Sequence, residues 1–113
     1  MIDFACKKFE LDEIFRCSLN LTKSEFRIFY FLMKNRKEYQ SKDIAKSLGL
    51  DLSTVQRALK KIYGKNVLIR SQRNLESGYV FLYKIKNIEE VRENILSTIH
   101  SWTKRVEEEV SSL

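Results

Sequence analysis

Absence of proline, only three glycines, and apolar residues recurring every three or four positions along most of 113 residues predict a fold built chiefly of helices. One stretch breaks that period. Between 67 and 86, Val67-Leu68-Ile69 and Tyr79-Val80-Phe81-Leu82-Tyr83 flank a polar segment, as the two strands of a hairpin do. The predicted class is therefore α+β, mostly α. The length sets a single domain over 1–113, and 43% apolar content with seven Phe and five Tyr is enough to fill its core. The longest apolar run, 28–33, is far short of the roughly 18–20 residues of a membrane span, and the N-terminus lacks the charge-then-apolar order of a signal peptide. The expectation is a soluble, cytoplasmic chain with no membrane partner.

A first helical segment is expected over 11–20. Thr22, with Glu25 three residues later, reads as a capping box opening a helix from 22 to 36. Its middle, from Phe26 to Met33, is apolar on nearly every side, which suits a central helix packed on more than one face. Ser41 is the expected cap of a short helix that turns Ile44, Ala45 and Leu48 inward and ends at Gly49. Asp51 or Ser53 caps a third helix reaching Tyr63, with Val55, Ala58, Leu59 and Ile62 toward the core and Gly64 as its stop. Residues 22–64 thus form a three-helix core. The hairpin over 67–86 turns at Ser77-Gly78, and the alternating Tyr79, Phe81 and Tyr83 face the helices. Asn87 with Glu90 opens a last helix over 88–112, whose apolar residues are Ile88, Val91, Ile95, Ile99, Trp102, Val106, Val110 and Leu113. Their spacing is an 11-residue repeat, which predicts a straight or slightly right-handed seam. Such a helix would be about 35–40 Å long, more than so small a body can cover. Part of its apolar face needs a partner.

Charge is concentrated rather than spread. The net +6 divides into +2 over 1–51, +7 over 52–86 and −3 over 87–113, and in the middle block Glu76 is the single acid. That block suits a polyanion.

A short helix, a glycine turn, a second helix with a basic side and then a basic hairpin is the order of a winged helix-turn-helix: a three-helix core plus a β-hairpin wing. In that reading Ser53, Thr54, Gln56 and Arg57 stand where base edges are read. Gln suits adenine, Arg suits guanine, and the hydroxyls contact less selectively. Lys60 and Lys61, with Lys42 and Lys46 from the preceding helix, reach toward backbone phosphates. Arg70, Gln72, Arg73 and Asn74 on the wing meet backbone or an A·T-rich minor groove.

The run Ser41-Lys-Asp-Ile-Ala-Lys-Ser-Leu-Gly-Leu-Asp-Leu-Ser-Thr-Val-Gln-Arg-Ala-Leu-Lys-Lys-Ile, followed by Val67-Leu-Ile-Arg, resembles archaeal winged-helix transcription regulators related to the MarR and TrmB groups. The likeness is closest over Ser53–Leu59 and covers roughly 11–110. It implies dimerisation built largely by the N- and C-terminal helices and operator binding through the helix that carries Thr54, Gln56 and Arg57. On the last helix the interface residues are then Val91, Ile95, Ile99, Trp102 and Val106. Some relatives of this kind carry an N-terminal cysteine pair, so the resemblance implies a bridge or redox-responsive pair of Cys6 and Cys17; plain buried thiols are the alternative.

Cys6, Cys17 and His100 are too few for a four-ligand zinc site in one subunit, so no metal and no cofactor are expected. No nucleophile–base pair or phosphate loop is present, which makes an enzyme the weakest class. The expected function is a homodimeric, sequence-specific regulator of transcription acting on double-stranded DNA, with no small-molecule effector assigned. Two rivals keep the same fold: a winged-helix interaction module of a larger assembly, and a nonspecific chromatin-type DNA binder. The polar and basic helix around 52–63 disfavours the first, and a specificity ratio separates the second.

Overall fold

The computed structural model describes residues 1–113 as β1 (Ile2–Phe4), β2 (Lys7–Phe9), α1 (Leu11–Ser18), α2 (Lys23–Lys34), α3 (Ser41–Leu48), α4 (Leu52–Tyr63), β3 (Leu68–Leu75), β4 (Gly78–Ile85) and α5 (Ile88–Ser111). The strands make two separate antiparallel sheets, β1–β2 and β3–β4. No helix is long and apolar enough to cross a membrane.

One apolar core joins the helices to the second sheet. Ile28, Phe29 and Leu32 of α2 meet Ile44 and Ala45 of α3, Val55, Ala58, Leu59 and Ile62 of α4, and Leu68, Tyr83 and Ile85 of the hairpin. Val91 and Ile95 of α5 complete it. The expectation that α2 packs on several sides holds for most of its turn, since Phe26, Phe31 and Met33 are half-buried against the core; Tyr30 is the exception and is exposed.

Local chemistry sets the helix ends. The Thr22 hydroxyl accepts from the Glu25 N–H at 3.2 Å, and Glu25 Oε1 accepts from the Thr22 N–H at 2.8 Å, the reciprocal box expected from the sequence. α3 differs: its cap is Gln40, paired with Asp43, and Ser41 is already the first helical residue. The Gln40 N–H donates to Asp43 Oδ2 at 3.3 Å, and the Asp43 N–H donates to the Gln40 carbonyl at 3.1 Å. Gly49 ends α3 at φ +65, a left-handed conformation that costs glycine little. Asp51 precedes α4 without a side-chain capping bond. The Asn87 side chain accepts from the Glu89 N–H at 2.8 Å, and the reciprocal bond from Glu90 is not made.

Three features were not legible in the sequence pattern. The first nine residues form the β1–β2 hairpin, turning at Ala5 and Cys6 with Ala5 at φ +41, a turn without Gly or Asn to announce it. In the β3–β4 hairpin Leu75 pairs with Gly78, so the two turn residues are Glu76 and Ser77 and Gly78 is already in the strand, at φ +135. Finally, Tyr39 bridges to β4: its N–H donates to the Tyr83 carbonyl at 2.9 Å, and its carbonyl accepts from the Tyr83 N–H at 2.8 Å. The loop before α3 is thereby tied to the hairpin.

Glu25 has a second partner, Lys61 of α4, whose Nζ donates to Oε1 at 2.8 Å. Burial pushes the Glu25 carboxyl up, but the bonds from Lys61 and from the Thr22 backbone and hydroxyl outweigh it and leave the group below its ordinary value. A depressed carboxylate pKa stabilises the fold above the unfolded-state value, and that contribution is lost as pH falls through the folded-state value. Glu25→Gln is expected to lower stability at pH 7 by about 0.5–1 kcal/mol. Urea titrations of both proteins should converge as the pH drops below the carboxylate range.

The molecule measures 62 × 23 × 23 Å, with a radius of gyration of 16.8 Å against about 13 Å for a compact chain of this length. The excess is α5, because residues 100–113 are all exposed.

Candidate nucleic-acid interface

α4 sorts its side chains by helical period. Val55, Ala58, Leu59 and Ile62 point into the core, which leaves Leu52, Ser53, Gln56, Arg57 and Lys60 together on one exposed arc. Thr54 lies at the margin and is half-buried. Lys61 is not on this arc: it sits on the flank facing α2, half-buried in its ion pair with Glu25. The phosphate contact expected at Lys61 thus falls on a cation that already has a carboxylate partner. Lys42 and Lys46 are exposed on α3.

Between α4, the start of α3 and the β3–β4 hairpin runs a groove of about 600 Å³. Lys42 comes from α3, Leu52, Gln56 and Lys60 from α4, and Arg70 and Tyr79 from the hairpin. None of its eleven lining residues is acidic, so no carboxylate neutralises its three cations. Ser53, Arg57 and Lys46 are outside the groove. Leu52 and Tyr79 were not among the expected contacts, although Leu52 lies one turn before Gln56 and two before Lys60, a row that helical spacing contains.

The four polar residues expected on the hairpin divide. Pairing of Arg70 with Tyr83, Gln72 with Phe81 and Asn74 with Tyr79 puts Arg70, Gln72 and Asn74 on one face, whereas Arg73, opposite Val80, is on the other. Gln72 Nε2 donates to Asn74 Oδ1 at 3.0 Å. Arg70 is stacked: its guanidinium carbon lies 4.3 Å from the ring centre of Tyr63, the last residue of α4, and 4.3 Å from that of Phe81 on β4. Phe81 in turn meets Tyr79 edge-on, the ring centroids being 5.3 Å apart. The face expected to pack on the helices does so progressively, with Tyr83 buried, Phe81 half-buried and Tyr79 exposed.

The apolar stripe of α5 also divides. Val91 and Ile95 are 1% and 4% exposed in the chain's own core, so neither is available to a second subunit; Ile99 is half-buried against the same core. Trp102, at 52%, and Val106, at 40%, are exposed, as is Val110. Cys6 and Cys17 are both free and exposed, one in the turn of the first hairpin and the other on α1, so neither the bridge nor the buried-thiol expectation describes them. His100 is exposed on α5.

The geometry has counterparts in known proteins. A structure described as a possible transcriptional regulator from Methanosarcina mazei Go1 matches with a TM-score of 0.93 and 39% identity, covering 99% of this chain and 95% of that one. The ST1889 protein of Sulfolobus tokodaii matches with a TM-score of 0.69 at 20% identity over 83% of this chain and 92% of its own, a likeness of fold alone. An uncharacterized protein of Methanocaldococcus jannaschii is 27% identical over 109 residues, which is 96% of this chain and 82% of that protein. Where the sequence resembled MarR- and TrmB-related regulators, the family model that matches is another: residues 9–106 fit the DnaD N-terminal domain. That match takes in every helix but the end of α5, the whole groove and both of its walls, and the chain belongs to the DnaD N-terminal domain family.

Proposed function

We propose that this protein is a homodimeric, sequence-specific regulator of transcription that binds double-stranded DNA as a winged helix-turn-helix. The observation that carries this reading is the exposed arc of α4 bearing Ser53, Gln56, Arg57 and Lys60 beside a cationic groove without acids. An α-helix fits the B-DNA major groove, and side chains with donors and acceptors at its N-terminal end are placed to meet base edges. In this reading Ser53, Thr54, Gln56 and Arg57 specify, Lys42, Lys46 and Lys60 hold the backbone, and the β3–β4 hairpin is the wing, with Arg73 at its outer face. The Methanosarcina mazei relative, at 39% identity, is described as a possible transcriptional regulator, which supports the same class. So does the sequence likeness of 41–70 to MarR- and TrmB-related proteins.

Dimerisation rests on the projecting end of α5. Trp102, Val106 and Val110 recur on one side of a helix that nothing in its own chain covers, and a large amphipathic ring is the residue type that anchors interfaces. α1 touches α5 and has no fully buried residue, so it is the second helix available to such an interface.

Selection of bound duplexes from a random pool, followed by titration of the selected site against salt, tests the reading. About eight neutralised phosphates per dimer correspond to a log–log slope near −7. A selected consensus bound at least about a thousandfold above random duplex is the expected result. A flat salt dependence, or no enrichment, overturns it.

A further inference from the structure

We infer that Arg70 forms a preorganised phosphate subsite in the groove between α4 and the hairpin. This rests on the DNA-binding reading above and gives it a chemical detail. The guanidinium carbon lies 4.3 Å from the ring centres of both Tyr63 and Phe81, so the group is held against rings from two different elements. Its edge is free: Arg70 has neither a hydrogen bond nor an ion pair to any group of the protein. A guanidinium presents its N–H donors in the plane, in a fork that matches two oxygens of a phosphate. The rings restrict the group without taking up its N–H donors, which stay available to a phosphate.

The surroundings select an anion. Lys42 and Lys60 line the same groove, Gln56 adds an amide donor, and no acid is among the lining residues. The volume of about 600 Å³ accepts a phosphodiester with its sugar. Ordering a free arginine on binding forfeits rotamer freedom, and here the two rings have already restricted it. Arg70 is therefore the cation of the basic block that engages a backbone phosphate with the least reorganisation, and Tyr63 and Phe81 are positioning residues for it.

The test uses the full chain in salt-dependent titrations of the selected duplex, with folding of each variant checked by thermal unfolding. Arg70→Met should weaken binding about tenfold or more, since a hydrogen bond to a charged group is lost. It should also make the salt slope shallower by about 0.9 per protomer engaged. Phe81→Leu keeps the charge and loses the brace: a several-fold loss of affinity with an unchanged slope is expected. Arg70→Lys should restore the slope but not the affinity. An Arg70→Met protein with lost affinity and an unaltered slope would make Arg70 a strut between wing and helix only and overturn the subsite, as would no change at all. Titration of the wild type with inorganic phosphate, read at the arginine Nε–H resonances by NMR, separates the two layers. A shifted Arg70 signal in a protein that binds no duplex retains the subsite and sinks the DNA reading; a silent Arg70 signal beside tight duplex binding with an unaltered Arg70→Met slope does the reverse.

Discussion

Replacing Trp102 and Val106 together by aspartate is expected to leave the fold intact and abolish the dimer. Both side chains are exposed in the single chain, so no core contact is lost, and surface changes of this kind stay within about 0.5 kcal/mol. Across a two-copy helix pairing, the same change sets four carboxylates into an apolar seam. Charges buried without partners are strongly disfavoured, and the subunits separate. Sedimentation should then report a monomer at tens of micromolar where the wild type is expected to be a dimer. The selected duplex, carrying two half-sites, should be bound about 10²- to 10⁴-fold more weakly, because the second half-site is no longer delivered by the first. A variant that still sediments as a dimer would place the interface elsewhere, and a wild-type monomer would remove it altogether.

Arg57→Ala and Lys60→Ala, both exposed on the same arc of α4, should fail in different ways. Arg57 lies toward the base edges in the proposed docking, so its loss should cut discrimination between selected and random duplex by about 1–3 kcal/mol. Lys60 is a phosphate contact in the same docking. Its loss should weaken both duplexes about equally and make the salt slope shallower by about 1 per protomer. Competition titrations of the two variants at fixed salt distinguish these outcomes, and equal behaviour of the two would contradict the division of labour along the helix.

What the sequence revealed was what is encoded locally. The Thr22–Glu25 box spans three residues and forms as read. The inward positions of α4 follow from spacing alone, and Gly49 stops α3 because glycine takes the left-handed conformation there without strain. The hairpin was visible from its change of period, although its turn is one residue earlier than the Ser77-Gly78 pair suggested. Losses came where partners are far apart in the chain. Lys61 reads as one more exposed cation until Glu25, 36 residues away, is brought against it. Arg70 reads as a wing contact until Tyr63 and Phe81 are brought within 4.3 Å of its guanidinium carbon. Periodicity shows that the apolar stripe of the last helix runs from Ile88 to Leu113 but not where the protein's own core stops covering it; that limit falls at Ile99. The first hairpin had no turn residue to betray it, since alanine at positive φ is an uncommon choice.

One bond near that limit governs distance. The Asn94 side chain of α5 donates through Nδ2 to the Lys65 carbonyl at 2.8 Å, two residues beyond the end of α4, with Asn66 beside it at φ +64. Val91 and Ile95 lock the same turns of α5 into the core. The shaft that would join two subunits is thus riveted to the very end of the helix that would enter DNA, with no flexible segment between them. In a dimer so built, the separation of the two reading helices is a fixed length, a caliper set by the protein and not adjusted by the DNA. Each added base pair moves a half-site by 3.4 Å and turns it by about a tenth of a revolution, so a rigid caliper accepts one spacing and rejects its neighbours.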